Sequence, residues 1–386
     1  MTTTINNEHK KLNVPNLRFK EFQGEWEKCT LNEVCKFHNG RAYKQTELLA
    51  AGKYRVLRVG NFFTNDSWYY SNLELEDNKY AQNGDLLYAW SASFGPRFWR
   101  EEKVIFHYHI WKIDSFKNVD KNFLYHFLDL DSAKIKNEVQ GGTMVHITKG
   151  DMEKRTISYP SVLEQRNIAR FLFFLDERIA TQNKIIEDLK KLKSAIIEKL
   201  YKEIQGTWYS YRQLFSIINE RNKQLEYSNV LSASQERGMV SREDLNLDIH
   251  FERSNISTYK IVKNGDYVIH LRSFQGGFAF SEKTGICSPA YTVLRPNNLL
   301  VYGYLSNYFT SRDFVKSLII VTYGIRDGRS INVDEWLDMK VVIPSKEQQT
   351  HIVNVIESIE NKIKNEETYS NCLLNQKQYL LRQMFI

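Results

Sequence analysis

Pro160-Ser-Val-Leu-Glu-Gln165-Arg-Asn-Ile168 returns as Pro344-Ser-Lys-Glu-Gln-Gln349-Thr-His-Ile352, at an offset of 184 residues and without a gap. In each copy the proline ends an extended segment, because it cannot donate to a ladder and restricts the residue before it. The serine then opens a capping box, Ser161-Val-Leu-Glu164 or Ser345-Lys-Glu-Gln348. Its hydroxyl accepts a first-turn amide while the fourth side chain reaches back. After the first box, Ile168, Leu172, Leu175, Ile179, Gln182, Ile186, Leu189, Lys193, Ile196 and Leu200 alternate at spacings of four and three. After the second, Ile352, Ile356, Ile359, Ile363, Glu366, Ser370, Leu373, Lys377, Leu380 and Met384 do the same. Each is an a/d heptad seam, and the polar positions Gln182 and Lys193 coincide with Glu366 and Lys377. Two readings of those polar residues stand side by side: they align the helices, or they are solvated edge positions.

Working outward, Lys20-Glu-Phe-Gln-Gly-Glu-Trp26 recurs as Lys202-Glu-Ile-Gln-Gly-Thr-Trp208, and Asn83-Gly-Asp85 as Asn264-Gly-Asp266. The chain therefore reads as two copies of one unit, residues 20–201 and 202–386. Two copies are too few for a solenoid, which needs at least about three stacked repeats. Each unit is expected to fold as a globular body plus a helix. The nearest partner for each seam is the other helix, paired antiparallel; about forty residues at ~1.5 Å rise make a rod near 60 Å. Without a Gly/Ser/Pro-rich linker at either junction, the rods are expected to act as a rigid spacer. The circular order of the repeat also predicts that Phe385 lies near Arg18–Phe22.

Between repeat start and helix, Tyr54–Val59, Asp85–Trp90, Val104–Ile113, Tyr267–Leu271 and Tyr291–Leu294 read as strands separated by glycine-bearing turns. Beyond framework positions the halves diverge, which suits two bodies with different ligands. The 386 residues carry a net charge of +7 and 42% hydrophobic residues, fitting a globular protein rather than a basic tail. No run approaches the ~20 apolar residues of a membrane span, and Met1–Lys11 is too polar for a signal peptide, so a cytoplasmic location without membrane contact is expected. Cys29, Cys35, Cys287 and Cys372 show no paired spacing and read as plain thiols.

Motifs of catalysis are missing: no phosphate loop, no dinucleotide fingerprint, no nucleophile elbow, no zinc-spaced Cys/His set. His107-Tyr-His109 would put two imidazoles on one strand face, but no third ligand is near in sequence, so no metal site is expected. What remains is a set of glycine-bearing loops rich in donors. In the first half they supply Arg41, Tyr43, Lys44, Arg58, Asn61, Ser91, Ser93, Arg97, Thr143 and His146. In the second half they supply Gln235, Arg237, Arg272, Ser273, Gln275, Arg326 and Arg329. Arg, Gln and Asn are the types that read purine edges bidentately, while Ser, Thr and Lys take phosphates.

At the repeated Trp, the Pro-Ser-x-x-x-Gln helix starts and the heptad helices, with Val14-Pro-Asn-Leu-Arg-Phe19 and Gly24-Glu-Trp26 ahead of them, the chain resembles the specificity subunit of type I restriction-modification systems. The resemblance runs from Val14 to Phe385. It implies an α+β architecture: two similar mixed α/β target recognition domains joined by two long antiparallel coiled-coil helices in a pseudo-two-fold internal repeat. The implied division is an N-terminal tail 1–13, domain 14–160, spacer helix 161–201, domain 202–344 and spacer helix 345–386. It implies a non-catalytic subunit, each domain reading half of a split, asymmetric site in double-stranded DNA. The helices would set the spacer and dock two methyltransferase subunits, which bind S-adenosylmethionine, with restriction/translocase subunits joining through them. No cofactor is expected in this chain. Leu163-Glu-Gln165-Arg against Glu347-Gln-Gln349-Thr marks where the two copies part. The alternative class is a coiled-coil scaffold whose paired domains bind protein rather than DNA.

Overall fold

The computed structural model describes residues 12–63, 65–91, 94–138, 146–234, 237–245, 253–270, 277–323 and 330–386. The chain divides into two compact units. One holds residues up to Gln182 together with Tyr369–Ile386; the other is Asn183–Thr368. Each contains a mixed α/β body and a part of both long helices, which run over Val162–Lys202 and Lys346–Met384.

The bodies share a framework. In the first unit a four-stranded antiparallel sheet has the order Lys36–Asn39, Ile110–Asp114, Leu86–Ala89, Gly95–Phe98. In the second the order is Phe215–Ile218, Thr292–Pro296, Tyr267–Ile269, Phe278–Phe280. The repeated Asn-Gly turn precedes the third strand of each. Gly84 and Gly265 sit at φ +90° and +93°, where a side chain would be strained. The aspartate that follows has the same double task in both copies. Asp85 accepts from the Gln82 amide and pairs with Lys112 at 2.8 Å; Asp266 accepts from the Lys263 amide and pairs with Arg295 at 2.9 Å. The remainder differs: the first unit adds a second four-stranded sheet with a parallel pair, Tyr54–Leu57 beside Val104–Phe106, whereas among the described residues the second adds two-stranded pairs.

Two expectations about the strands need correction. Val104–Ile113 is not one strand, because it breaks after Phe106 and resumes at Ile110, leaving His107-Tyr108-His109 as the turn between two sheets. Tyr54–Val59 ends at Leu57, and a short helix, Val59–Phe63, takes over.

The glutamine of the duplicated helix start is a buried clamp. Gln165 accepts from the Asp120 amide at 2.7 Å and donates to the carbonyls of Asn118 and Pro160, both at 2.8 Å. Gln349 accepts from the Val301 amide at 2.8 Å and donates to Leu299 and Pro344, both at 3.0 Å. One side chain thus satisfies three backbone groups and pins each helix start to its own body. The serine half of each capping box forms, with Ser161 and Ser345 accepting from the Glu164 and Gln348 amides. Glu164 is diverted, however: Arg18 grips its buried carboxylate at 2.7 and 2.8 Å.

Inside the first unit, the early part of the first long helix packs against the end of the second. Ile168, Leu172, Leu380 and Met384 belong to one core with Phe385. Inside the second unit, the late part of the first helix meets the early part of the second, and there Ile197 rather than Ile196 is the buried residue beside Ile352 and Ile356. The pairing is antiparallel in both units. The seam lysines are paired rather than solvated: Lys377 reaches Asp176 of the facing helix at 2.8 Å and Asp129 at 3.0 Å, and Lys193 reaches Glu360 at 2.6 Å. Asp176 and Glu360 are themselves one repeat apart, so the two bridges are copies.

Within the first unit the chain's end meets its start, as the circular order of the repeat requires. The Leu17 amide donates to the Gln383 carbonyl at 2.9 Å, Phe19 packs edge-on against Phe171, and both Phe19 and Phe385 pack in the first core. One equivalence read from sequence is out of register. The strand Glu27–Thr30 pairs with Thr156–Tyr159, and Thr207–Ser210 with Lys340–Ile343. Matching Tyr159 with Ile343 therefore matches Glu27 with Thr207, an offset of 180, which places Trp26 over Gly206 and leaves Trp208 over Lys28. Trp26 is 3% exposed and Trp208 64%. The four cysteines are free, and burial pushes Cys35 and Cys287 up to about 12, so both are unreactive thiols. Among the described residues no helix is long and apolar enough to cross a membrane.

Candidate nucleic-acid interface

In the first unit the candidate surface is built around the His107-Tyr108-His109 turn. Gly40 lets the loop approach it: a Cβ there would lie 2.3 Å from the His107 carbonyl oxygen. The close approach is locked by Arg41 N–H donating to Phe106 O at 3.0 Å and Tyr108 N–H to Arg41 O at 3.1 Å. Tyr43 then stacks on the His107 ring at 6.4 Å and its hydroxyl donates to the Phe106 carbonyl at 3.4 Å. Burial drives the Tyr43 phenol well above its ordinary value, so it stays a neutral donor. From the other side Trp90 closes the turn, its indole N–H donating to Tyr108 O at 2.8 Å. Trp90 is the outermost of three stacked rings, Tyr88, Trp111 and Trp90, spaced 5.9 and 5.7 Å.

Electrostatics keep this surface in one charge state near neutrality. Burial, with His109 and Arg58 beside it, lowers His107 to about 4, and burial lowers His109 as well. Both imidazoles are neutral at pH 7. Their ring centroids are 4.9 Å apart, yet among the described residues no cluster of metal-ligating side chains forms.

The candidates sort by what already holds them. Arg41 is engaged by Glu47 at 2.6 Å. Asn61 donates its amide to the carbonyls of Asn65 and Ser67 at 2.8 and 2.7 Å, which shapes the turn after the Val59–Phe63 helix. Ser91 is buried and bridges to His146 through the backbone. Arg58 lies over the Tyr69 ring at 4.3 Å, and its Nε is buried without a hydrogen-bond partner among the described residues. Arg97 is exposed, and its guanidinium rests on Phe63 at 4.7 Å and Phe62 at 5.9 Å. That aromatic platform holds the plane of the fork while leaving its donors free of any ion pair among the described residues. Lys44 and His146 are exposed.

In the second unit Arg237 is exposed in the turn between Leu231–Ser234 and Gly238–Ser241, its amide donating to Ser234 Oγ at 3.3 Å. Ser93, Thr143, Gln235, Arg272, Ser273, Gln275, Arg326 and Arg329 lie outside the described residues. The first-unit surface thus brings Arg41, Tyr43, Arg58, Ser91 and His146 around one turn. Trp90, Tyr108 and His109 belong to it and had not been singled out for it. Their signal in the sequence was the spacing of Tyr88 and Trp90, which puts both rings on one strand face, opposite Trp111.

Comparison with known proteins bears on these surfaces. A family model described as the type I restriction modification DNA specificity domain matches residues 23–191. The chain is 24% identical over 323 residues to the type I restriction enzyme MjaVIII specificity subunit of Methanocaldococcus jannaschii, covering 73% of this chain and 74% of that one. It is 23% identical over 179 residues to the EcoBI specificity subunit of Escherichia coli, covering 45% and 38%. Among solved structures, a type I restriction-modification S subunit from M. genitalium superposes with a TM-score of 0.54 at 15% identity, covering 97% of this chain and 99% of that one. A chain from a structure of type I restriction-modification complex assembly and conformational transition gives 0.58 at 14% identity, covering 92% and 96%. At such identities the two structures establish the shared fold.

Proposed function

Because the chain belongs to the family of type I restriction-modification specificity subunits, we propose that each of its two units reads one half of a split, asymmetric site in double-stranded DNA. The observation that carries this reading is the contrast between framework and loops. The Gln165/Gln349 clamps and the Asp85/Asp266 ion pairs recur, whereas the loops standing on that framework differ in sequence and in added strands. Two equal mounts with unequal contact surfaces suit an asymmetric target.

In this reading Arg97 and Arg58 are the strongest first-unit candidates for base-edge or phosphate contact, since aromatic rings orient their guanidinium groups. Arg41 supports the turn rather than the DNA. The long helices set the gap between half-sites and dock two methyltransferase subunits, which would carry S-adenosylmethionine, with restriction/translocase subunits joining through them. Exposed apolar side chains along the helices support such docking: Leu163 is 65%, Phe174 54% and Leu192 51% exposed. The test is the methylated motif in host DNA with and without this gene, and then with loop variants. A change confined to one half of the motif is expected from each loop variant, and changes in both halves together would refute the division.

A further inference from the structure

The second unit contains a pocket of about 390 Å³, lined by Tyr201, Tyr304, Leu305, Tyr308, Val341 and Val342, with Lys202, Lys340 and Trp208 among the residues around it. The internal repeat shows what belongs there. Gln165 and Gln349 contact equivalent backbone groups, which equates Phe123 and Phe127 with Tyr304 and Tyr308; the helix offset equates Phe385 with Tyr201. The contacts agree. Phe385 lies 4.9 and 6.5 Å from Phe123 and Phe127, and Tyr201 lies 5.5 and 5.2 Å from Tyr304 and Tyr308.

In the first unit this aromatic bowl is filled from within, because Trp26 packs on Phe123 at 6.0 Å and joins the same core as Phe127, Ile157 and Phe385. In the second unit the equivalent of Trp26 is Gly206. A side chain cannot be restored there, since a Cβ would lie 2.3 Å from the Ile343 carbonyl oxygen. A pocket therefore remains beside the buried Tyr304, shared with Ile204 and with Trp208, which is 64% exposed; the Tyr304 hydroxyl has no hydrogen-bond partner among the described residues. Lys202 and Lys340 are exposed and make no ion pair among the described residues.

We propose that this pocket is a docking site for an aromatic side chain, flanked by acidic residues, on an extended segment of another polypeptide. The ring would take the place that Trp26 takes in the first unit, and the two lysines would meet the flanking carboxylates. The volume lies at the small end of the usual ligand-pocket range of about 300–1,000 Å³, as suits one anchoring side chain. The proposal is independent of the DNA reading, since none of the candidate DNA contacts lines the pocket.

The test uses the full chain and a fluorescein-labelled acetyl-Glu-Trp-Glu-amide peptide, followed by fluorescence anisotropy. Saturable binding is expected, weakened at least about tenfold when the peptide tryptophan becomes alanine. A similar loss is expected when Val342→Trp fills the pocket, with melting temperature and duplex-DNA binding unchanged. Equal binding of the Trp and Ala peptides, or full binding to the Val342→Trp variant, would overturn the proposal. Should that variant fail to fold, the surface double variant Lys202→Glu/Lys340→Glu decides, and unchanged affinity there overturns it too. Indole binding as tightly as the peptide would assign the pocket to a small molecule instead. A dimer of the full chain that Val342→Trp abolishes would assign it to a second copy. Either result rejects the proposal.

Discussion

At the scale of single residues, one glutamine per unit decides how a helix meets a body. Gln165 and Gln349 are each 1% exposed or less and satisfy three backbone groups. Gln165→Ala leaves the Asp120 amide and two carbonyls without partners, at ~1–3 kcal/mol for a buried unsatisfied group. A loss of about 2–4 kcal/mol is expected, seen as faster amide exchange at 118–120 while the second unit keeps its protection. Arg97 carries the functional counterpart. Arg97→Ala should cost about 1–3 kcal/mol of discrimination if it reads a base edge, relaxing one position in one half-site. A uniform loss over all sequences, with a shallower salt dependence, would assign it to a phosphate. Methylation profiling distinguishes the two outcomes.

At the scale of the element, the seam lysines separate two kinds of ion pair. Lys377 is 12% exposed and bridges two carboxylates, Asp129 and Asp176; removing it strands both in a half-buried site, so Lys377→Ala should destabilise by about 3 kcal/mol. Lys193 and Glu360 are 27% and 43% exposed, and Lys193→Ala should cost no more than about 1 kcal/mol. Denaturant melts of the two variants check the contrast, and equal losses would contradict it. The helices also carry the functional prediction about spacing. Deleting one heptad from both is expected to change the gap between half-sites while leaving the bases of each half intact. A rewritten half-site in the methylated motif would show that reading and spacing are not separate.

At the scale of the whole molecule, the units differ in their response to acid. His107 and His126, both in the first unit, are lowered to about 4: burial dominates in each, aided by His109 and Arg58 at the first and Lys377 at the second. Unfolded histidine titrates near ~6.5, so between there and about pH 4 the unfolded chain binds protons that the native unit refuses. Stability of the first unit should therefore fall as pH drops through that window. Asp176, whose carboxyl burial pushes up, opposes this, but His109, also lowered by burial, acts with His107 and His126, so one group stands against three. Hydrogen exchange at pH 7 and pH 5 should show the first unit losing protection, and His107→Gln should flatten the trend.

The sequence by itself determined the duplication, the two helix starts, the seams and the Asn-Gly-Asp turns. These rest on local rules, since capping, heptad spacing and positive φ need only neighbouring residues. Only the tertiary structure decided what depends on distant partners. Glu164 looked like the closing half of a capping box until Arg18, 146 residues away, took its carboxylate. The His107-Tyr108-His109 segment looked like strand because its periodicity continues, but the flanking strands belong to different sheets and force a turn. Trp26 and Trp208 share a local motif yet not a structural position, because strand register against Thr156–Tyr159 and Lys340–Ile343 outranks local sequence likeness. Register is set by ladder hydrogen bonds between segments more than a hundred residues apart, and no local pattern encodes which of two glycines or tryptophans will face the core.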